Sequence, residues 1–312
     1  MGPSVAASGV CVIAPTAFHD DGTIDYGSLE RMTNAFLRFG VTGIAVLGQM
    51  GEAPKLDHQE ALNVAIRVIE RSTVPVIVGV SAPGFAAMRL LSRSVMDAGA
   101  AAVMVAPLPS LRADDQITSY YRQVAEALGA DVPFVVQDYP LLFNVTMSAN
   151  VIRRIVMENP SCIALKHEDW PGLDKISTLR KFEAEGSLRH IPILCGNGGL
   201  FLDFETEHGA DGAMTGSCFP DMLVDTVRLA KSGERDAAHD LFDTHLPLIR
   251  YEQQPNYGLA VRKYVFMRRG ILASDAQRKP ATTLSACARA EVEYLLSRIA
   301  RADKRAHLGS PS

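Results

Sequence analysis

The 312-residue sequence has little that would tie it to a nucleic acid, a membrane, a metal or a disulfide framework. Its five cysteines, Cys11, Cys162, Cys195, Cys218 and Cys287, are odd in number and scattered, with no Cys-x-x-Cys and no histidine at ligand spacing, so neither a zinc site nor a set of disulfides is indicated. Four of them fall in or beside apolar runs, where a reduced cysteine serves as a small hydrophobe, and a reducing compartment, the cytoplasm, is expected. No apolar run is long enough to span a bilayer. The first nine residues lack the positive region and apolar core of a leader, and Ala6 departs from a myristoylation pattern. Charge is nearly balanced, 31 basic against 35 acidic residues. The only basic cluster, around Arg298, Arg301, Lys304 and Arg305, suits a solvated helix end, and nucleic-acid binding has no electrostatic footprint. Neither a Rossmann nor a P-loop fingerprint occurs, so no nucleotide cofactor is expected.

What the sequence does contain is alternation. Short apolar runs at 10–14, 43–47, 76–80, 101–106, 134–137, 162–166, 191–195 and 212–215 read as strands. Helix-period segments follow them at 25–39, 57–72, 86–97, 114–128, 148–157, 174–185, 200–207 and 221–229, with Asp57 and Ser148 as N-caps. Eight βα units predict an α/β protein, a (β/α)8 TIM barrel whose catalytic groups sit at the C-terminal ends of the strands. Beyond about Gly233 the pattern is helical only, at 236–246, 255–268 and 284–301. The expected division is a barrel over 1–232 and a C-terminal helical appendage over 233–312, folded as one body because no low-complexity linker separates them.

Lys166 is out of place in this pattern. It closes the apolar run Ser161-Cys162-Ile163-Ala164-Leu165, a buried parallel strand, and burial disfavours a charged ammonium. A desolvated lysine at a barrel strand end can form a Schiff base with a carbonyl substrate, the protonated imine then acting as an electron sink; the alternative is a strand-end lysine whose head reaches solvent. Strand parity puts Ala164, Lys166 and Glu168 on one face and Ile163 and Leu165 on the other, against the helices. Glu168 is thus placed to move protons beside the imine, or simply to pair with the lysine. On the fifth strand Val135, Gln137 and Tyr139 share a face, so Gln137 and Tyr139 are candidate orienting or proton-transfer groups, with a satisfied amide and rim packing as their structural alternatives.

Three glycine-rich turns follow strands. Gly48-Gln49-Met50-Gly51-Glu52 could turn backbone N–H groups inward as a nest for a carboxylate, or be a tight turn only. Gly196-Asn197-Gly198-Gly199 and Thr215-Gly216-Ser217 allow a ligand to approach the main chain closely.

The order Gly48-x-x-Gly51-Glu52, Pro140 after the fifth strand, the Lys166 strand, Gly196-Asn197 and Gly209-Ala210-Asp211-Gly212 resembles the dihydrodipicolinate synthase and N-acetylneuraminate lyase superfamily, over about 9–296. The resemblance implies a class I enzyme acting on a 2-oxo acid without a metal or other cofactor, Lys166 as imine former, and a homo-oligomer, tetramer or dimer. The chain departs from dihydrodipicolinate synthase itself. Gln49 and Met50 replace two threonines, Gln137 replaces the catalytic tyrosine, Leu142 the carboxylate-binding arginine, and Leu108-Pro109 the tyrosine that completes a neighbour's site. The combination with Gly212-Ala213-Met214-Thr215-Gly216 looks more like the 2-keto-3-deoxy sugar acid dehydratases, especially the L-2-keto-3-deoxyarabonate branch, which would make Glu168 the acid/base. Leu142 and Phe143 suit an aromatic 2-oxo acid and a hydratase-aldolase instead. Dihydrodipicolinate synthesis and a non-catalytic 2-oxo acid sensor complete the alternatives.

Overall fold

The computed structural model describes residues 8–170 and 172–309, so most of the N-terminal stretch considered for a leader lies outside it. Eight strands close into one parallel barrel: β1 (Gly9–Ile13), β2 (Gly43–Val46), β3 (Val76–Gly79), β4 (Ala102–Val105), β5 (Phe134–Asp138), β6 (Cys162–His167), β7 (Ile193–Cys195) and β8 (Gly212–Thr215). They run in sequence order and β8 pairs back onto β1. Between and after them lie α1 (Tyr26–Arg38), α2 (His58–Arg71), α3 (Phe85–Asp97), α4 (Asp114–Leu128), α5 (Pro140–Phe143), α6 (Ala149–Glu158), α7 (Leu173–Ala184), α8 (Leu202–Glu207) and α9 (Pro220–Lys231). The expected caps are present: Asp57 and Glu60 form a reciprocal capping box, and the Ser148 hydroxyl accepts from the Val151 N–H. The short α5, which periodicity does not show, starts at Pro140, where a ring-fixed φ and a missing N–H fit the first helical position.

Alternation along the strands divides the apolar residues into two sets. An inner set, including Cys11, Ile13, Ala45, Ile77, Met104, Val135, Ala164, Leu194 and Met214, fills the barrel floor. A larger outer set, including Val12, Ile44, Val78, Val105, Val136 and Leu165, packs under the helices. Ile163 corrects the parity expectation: it packs with the inner set, not the helix layer. The pairing register explains this, since Phe134 lies opposite Cys162 but Val135 lies opposite Ala164, and the intervening Ile163 is the extra residue of a bulge. Past the bulge the alternation holds, with Gln137 opposite Lys166 and Asp138 opposite His167.

Asp138 and His167 therefore point outward, into the layer between sheet and helices, where both are fully buried. Asp138 accepts from Lys175 Nζ at 2.9 Å and its Oδ2 lies 3.7 Å from His167 Nδ1. Glu205 of α8 is buried in the same layer. Burial pushes its carboxyl up from an ordinary 4.5 to about 7, opposed by the charge of His167 and the hydrogen bond from Cys195.

The tail comprises α10 (Arg235–Glu252), α11 (Gly258–Arg268) and α12 (Ala286–Ile299). α10 runs well past the expected end at 246 and through Pro247, because Leu248, Ile249 and Glu252 beyond the proline are buried and hold the helix on. Arg305 departs from the solvated helix end expected of the basic cluster: it pairs with Asp303 at 2.6 Å and with Asp225 of α9. The deepest link between tail and barrel is Lys263 of α11, fully buried, whose Nζ donates to Glu52 Oε1 at 2.6 Å and sits 4.6 Å from the Phe18 ring centre. Burial lowers the Lys263 ammonium to about 8 against the pull of Glu52. Glu52, 2 % exposed, also accepts from Lys55 Nζ at 2.8 Å and from the Arg278 N–H at 3.1 Å.

Two stability outcomes follow. Glu52→Ala leaves the Lys263 ammonium buried without its counter-ion and lowers unfolding free energy in urea by about 3–5 kcal/mol, whereas Glu52→Gln combined with Lys263→Met recovers a large part of the loss. For Glu205, the folded state keeps a proton that the unfolded chain has already released. Its contribution is fully present below about pH 4.5 and is lost as pH rises to about 7. Glu205→Gln, which keeps the neutral shape, accordingly gains on the parent between pH 5 and pH 8 by about 3 kcal/mol, read as a difference in denaturation midpoints; equal midpoints at both pH values would refute this.

Candidate functional site

Lys166, the last residue but one of β6, lies at the barrel mouth with its side chain 7 % exposed, and its Nζ lies 3.0 Å from Glu168 Oε2. The lysine head is therefore held in an ion pair inside the barrel and does not reach out to solvent. Glu168, two residues on and on the same face, is met by several donors. Gln137 Nε2 donates to Oε2 at 2.6 Å, and the Asn197 N–H donates to Oε1 at 3.1 Å. Three neighbouring strands thus converge on one carboxylate: β5 supplies the amide, β6 the amine and the carboxylate, and the turn after β7 the backbone N–H. Such a carboxylate has a fixed orientation.

Gly196 makes this approach possible. A Cβ there would overlap Glu168 Cγ, so only glycine lets the turn close over the carboxylate. The same turn holds Asn197 in the left-handed region at φ 47°, and Asn197 Oδ1 accepts from the Tyr139 hydroxyl at 3.4 Å. Burial, with the nearby Glu168 charge, raises the Tyr139 phenol above its ordinary value, and it stays a neutral hydroxyl at physiological pH. Its proton is directed at Asn197, and it is no resting base.

These side chains line a cavity of about 100 Å³. Of the residues singled out from sequence, Gln49, Met50, Gln137, Tyr139, Lys166, Glu168, Asn197, Thr215 and Gly216 face it. Gly48, Gly51, Gly196 and Ser217 do not. The Gly48 carbonyl accepts the Gly51 N–H within a 3-10 turn, and the Gly51 carbonyl accepts from the Thr16 hydroxyl at 2.6 Å. Ser217 Oγ accepts the Phe219 N–H at 3.1 Å. In the 48–52 turn the N–H groups of Gly51 and Glu52 are thus used internally, while those of Gln49 and Met50, at the start of the turn, have no acceptor within it. Leu47 and Glu52 flank this segment with φ of 58° and 52°, uncommon for side chains of their size.

Leu142 and Phe143, which had suggested an aromatic substrate, do not line the cavity. Leu142 is exposed, and Phe143 packs edge-on against Tyr139 with ring centres 6.3 Å apart.

Gly198, in the turn expected to let a ligand approach, lines the cavity too, and sequence reading missed three lining residues, Ile13, Gln253 and Arg262. Ile13 reads as ordinary floor. Gln253 and Arg262 come from the tail, which the pattern presents as packing only. The available signal was consecutive cations, Arg262 and Lys263, within α11, a helix whose buried residues go nearly all the way round.

A family model, the dihydrodipicolinate synthetase family, matches residues 6–299. The L-2-keto-3-deoxyarabonate dehydratase of Azospirillum brasilense is 27% identical over 93% of this chain and 94% of its own length. The 4-hydroxy-tetrahydrodipicolinate synthase of Chlorobium luteolum is 28% identical over 91% and 95%. Among solved structures, dihydrodipicolinate synthase from Rhodopseudomonas palustris superposes with a TM-score of 0.94 at 63% identity, covering 96% of this chain and 99% of that one. With a barrel, a strand-end lysine and a match to that model across nearly the whole length, the chain belongs to the dihydrodipicolinate synthetase family and is an enzyme of the lyase type that its members represent.

Proposed function

We propose that this enzyme forms a Schiff base between Lys166 and a 2-oxo acid and dehydrates a 2-keto-3-deoxy sugar acid. The observation that carries the reading is the buried triad of Lys166 Nζ, Glu168 Oε2 and Gln137 Nε2, with contacts of 3.0 and 2.6 Å, facing a cavity sized for a short acid. Attack of the neutral amine on C2 and loss of water give an imine; protonated, it draws electrons from the C3–H bond. Glu168 takes that proton and the enamine forms. The enamine then expels the C4 hydroxyl, to which Glu168 returns the proton, so one carboxylate serves as base and then acid and water is the leaving group. Gln137 keeps the carboxylate turned toward the reacting carbons, and the neutral Tyr139 hydroxyl can hold a substrate oxygen. In this reading the enzyme is cytoplasmic, a homo-oligomer, tetramer or dimer, and needs no cofactor.

The Rhodopseudomonas palustris neighbour's name supports a second reading, condensation of pyruvate with aspartate semialdehyde. Against it stand Gln137 and Leu142, at the positions where the resemblance places that enzyme's tyrosine and arginine; a hydroxyl relay has no counterpart in Gln137.

Borohydride reduction in the presence of pyruvate, or of a 2-keto-3-deoxy pentonate, is expected to add the reduced acid to Lys166, identified by intact mass and peptide mapping, with a dehydrated adduct from the pentonate. Lys166→Ala abolishes the adduct, and Glu168→Gln lowers dehydration by about 10²–10⁴-fold. No adduct with either acid would sink the Schiff-base assignment for these ligands, and turnover of pyruvate with aspartate semialdehyde at a higher kcat/KM than the pentonate would favour the second reading.

A further inference from the structure

Gln137 and Glu168, which meet in the cavity, are each followed in the chain by an aspartate, and one lysine outside the barrel holds both aspartates. Lys175, in the first turn of α7 and with its side chain 11 % exposed, places Nζ 2.9 Å from Asp138 Oδ2 and 2.5 Å from Asp169 Oδ2. Among the described residues it is the only side chain that hydrogen-bonds the fully buried Asp138 carboxylate, whose Oδ1 has no partner. Asp169 Oδ1 accepts the Trp170 N–H at 2.8 Å, so the turn after β6 curls around the carboxylate that Lys175 holds. α7 starts this close to the strand ends because residue 172 is glycine, where a Cβ would overlap His167 Nε2.

Inside the barrel Gln137 Nε2 donates to Glu168 Oε2 at 2.6 Å, and between the two levels the Glu168 N–H donates to the Asp138 carbonyl at 2.8 Å. The outer clasp and the inner pair are thus one residue apart on both segments. Removing the ammonium leaves two carboxylates facing the same point, one of them with no exposure to water, and a buried charge is costly once its partner is gone. Asp169 is the one with access to solvent, and in turning outward it carries Glu168 with it across one peptide bond. A displacement of about 1 Å at a reacting group can cost about 10²-fold in rate. Resting on the Schiff-base reading above, we infer that Lys175 is a positioning residue for the reaction. Through Asp138 and Asp169 it holds Glu168 against Gln137 for the C3 proton transfer. Imine formation does not depend on it, because the Lys166 backbone is paired to β5 on one side and β7 on the other.

The test separates the two steps with pyruvate alone, which has no hydroxyl to lose. Borohydride trapping on Lys166 reads imine formation, and deuterium uptake from heavy water at C3 of pyruvate, followed by NMR, reads removal and return of the C3 proton through the enamine. In Lys175→Met, half-saturation of trapping is expected to stay within about twofold of the parent while exchange slows by about 10–100-fold. Lys175→Arg, which keeps the charge, recovers most of the exchange, and Asp169→Asn slows exchange by less than Lys175→Met does. Unchanged exchange in a folded Lys175→Met overturns the inference. So does a fall of trapping and exchange by the same factor, because a merely structural clasp disturbs both. Should Lys175→Met fail to fold, Asp169→Asn, which removes only the partly exposed end of the clasp, decides alone by the same split. A parent that forms no adduct with pyruvate sinks the Schiff-base reading and this inference with it, whereas a normal adduct with intact exchange in the variants sinks this inference only.

Discussion

Closure of the parallel sheet is the constraint on which the rest of this molecule depends. Once β8 pairs back onto β1, each strand has only an inside and an outside, and a two-residue alternation assigns every side chain to one of them. On β6 this sends Lys166 in and His167 out, and on β5 it sends Gln137 in and Asp138 out. Two polar groups of different character result from adjacent residues. Inside, amine, carboxylate and amide meet at hydrogen-bond distance in a cavity open to ligand; outside, Asp138, His167 and Glu205 are sealed beneath helices. A slip of one residue in either strand would exchange the two sets, which is why the register is pinned by pairing on both sides of β6.

The second requirement is that the C-terminal helices stay on the barrel mouth. Apolar packing of α10 against α9 holds the tail broadly in place, but the buried Lys263–Glu52 pair gives it a fixed position, because neither charge tolerates losing the other in the interior. Glu52 sits directly after the Gly48–Gly51 turn, and the neighbour of Lys263 in α11 is Arg262. The anchor that attaches the tail therefore also positions a cavity-lining cation relative to the turn that forms another wall. In this protein stability of the appendage and shape of the site are coupled through adjacent residues.

The cavity wall combines residues from the barrel and from the tail. The lysine is at its expected strand end, but Gln137 grips Glu168, Leu142 is exposed away from the cavity, and the cation facing the cavity comes from a helix some ninety residues beyond the lysine.

The order of elements, the strand end occupied by Lys166 and the inward company of Glu168 and Gln137 were legible in the sequence, since each follows from local rules: apolar runs of strand length, turn residues between them, and a period of two along a strand. The same local rule misplaced Ile163, because a bulge is decided by pairing with a neighbouring strand and leaves no mark in one strand's own pattern. Nor could it show that Arg305 is paired or that α10 continues through Pro247, both of which depend on α9 and the core against which they pack. Gly48, Gly51 and Ser217 read as ligand-facing turns, yet their hydrogen bonds close on the protein itself. Sequence alone determined which chemistry the barrel could carry, because strand periodicity acts between neighbours in the chain. Only the tertiary structure decided what surrounds that chemistry. Arg262 and Gln253 reach the cavity through contacts spanning most of the sequence, and the packing of α10 and α11 on the closed barrel is what brings them there.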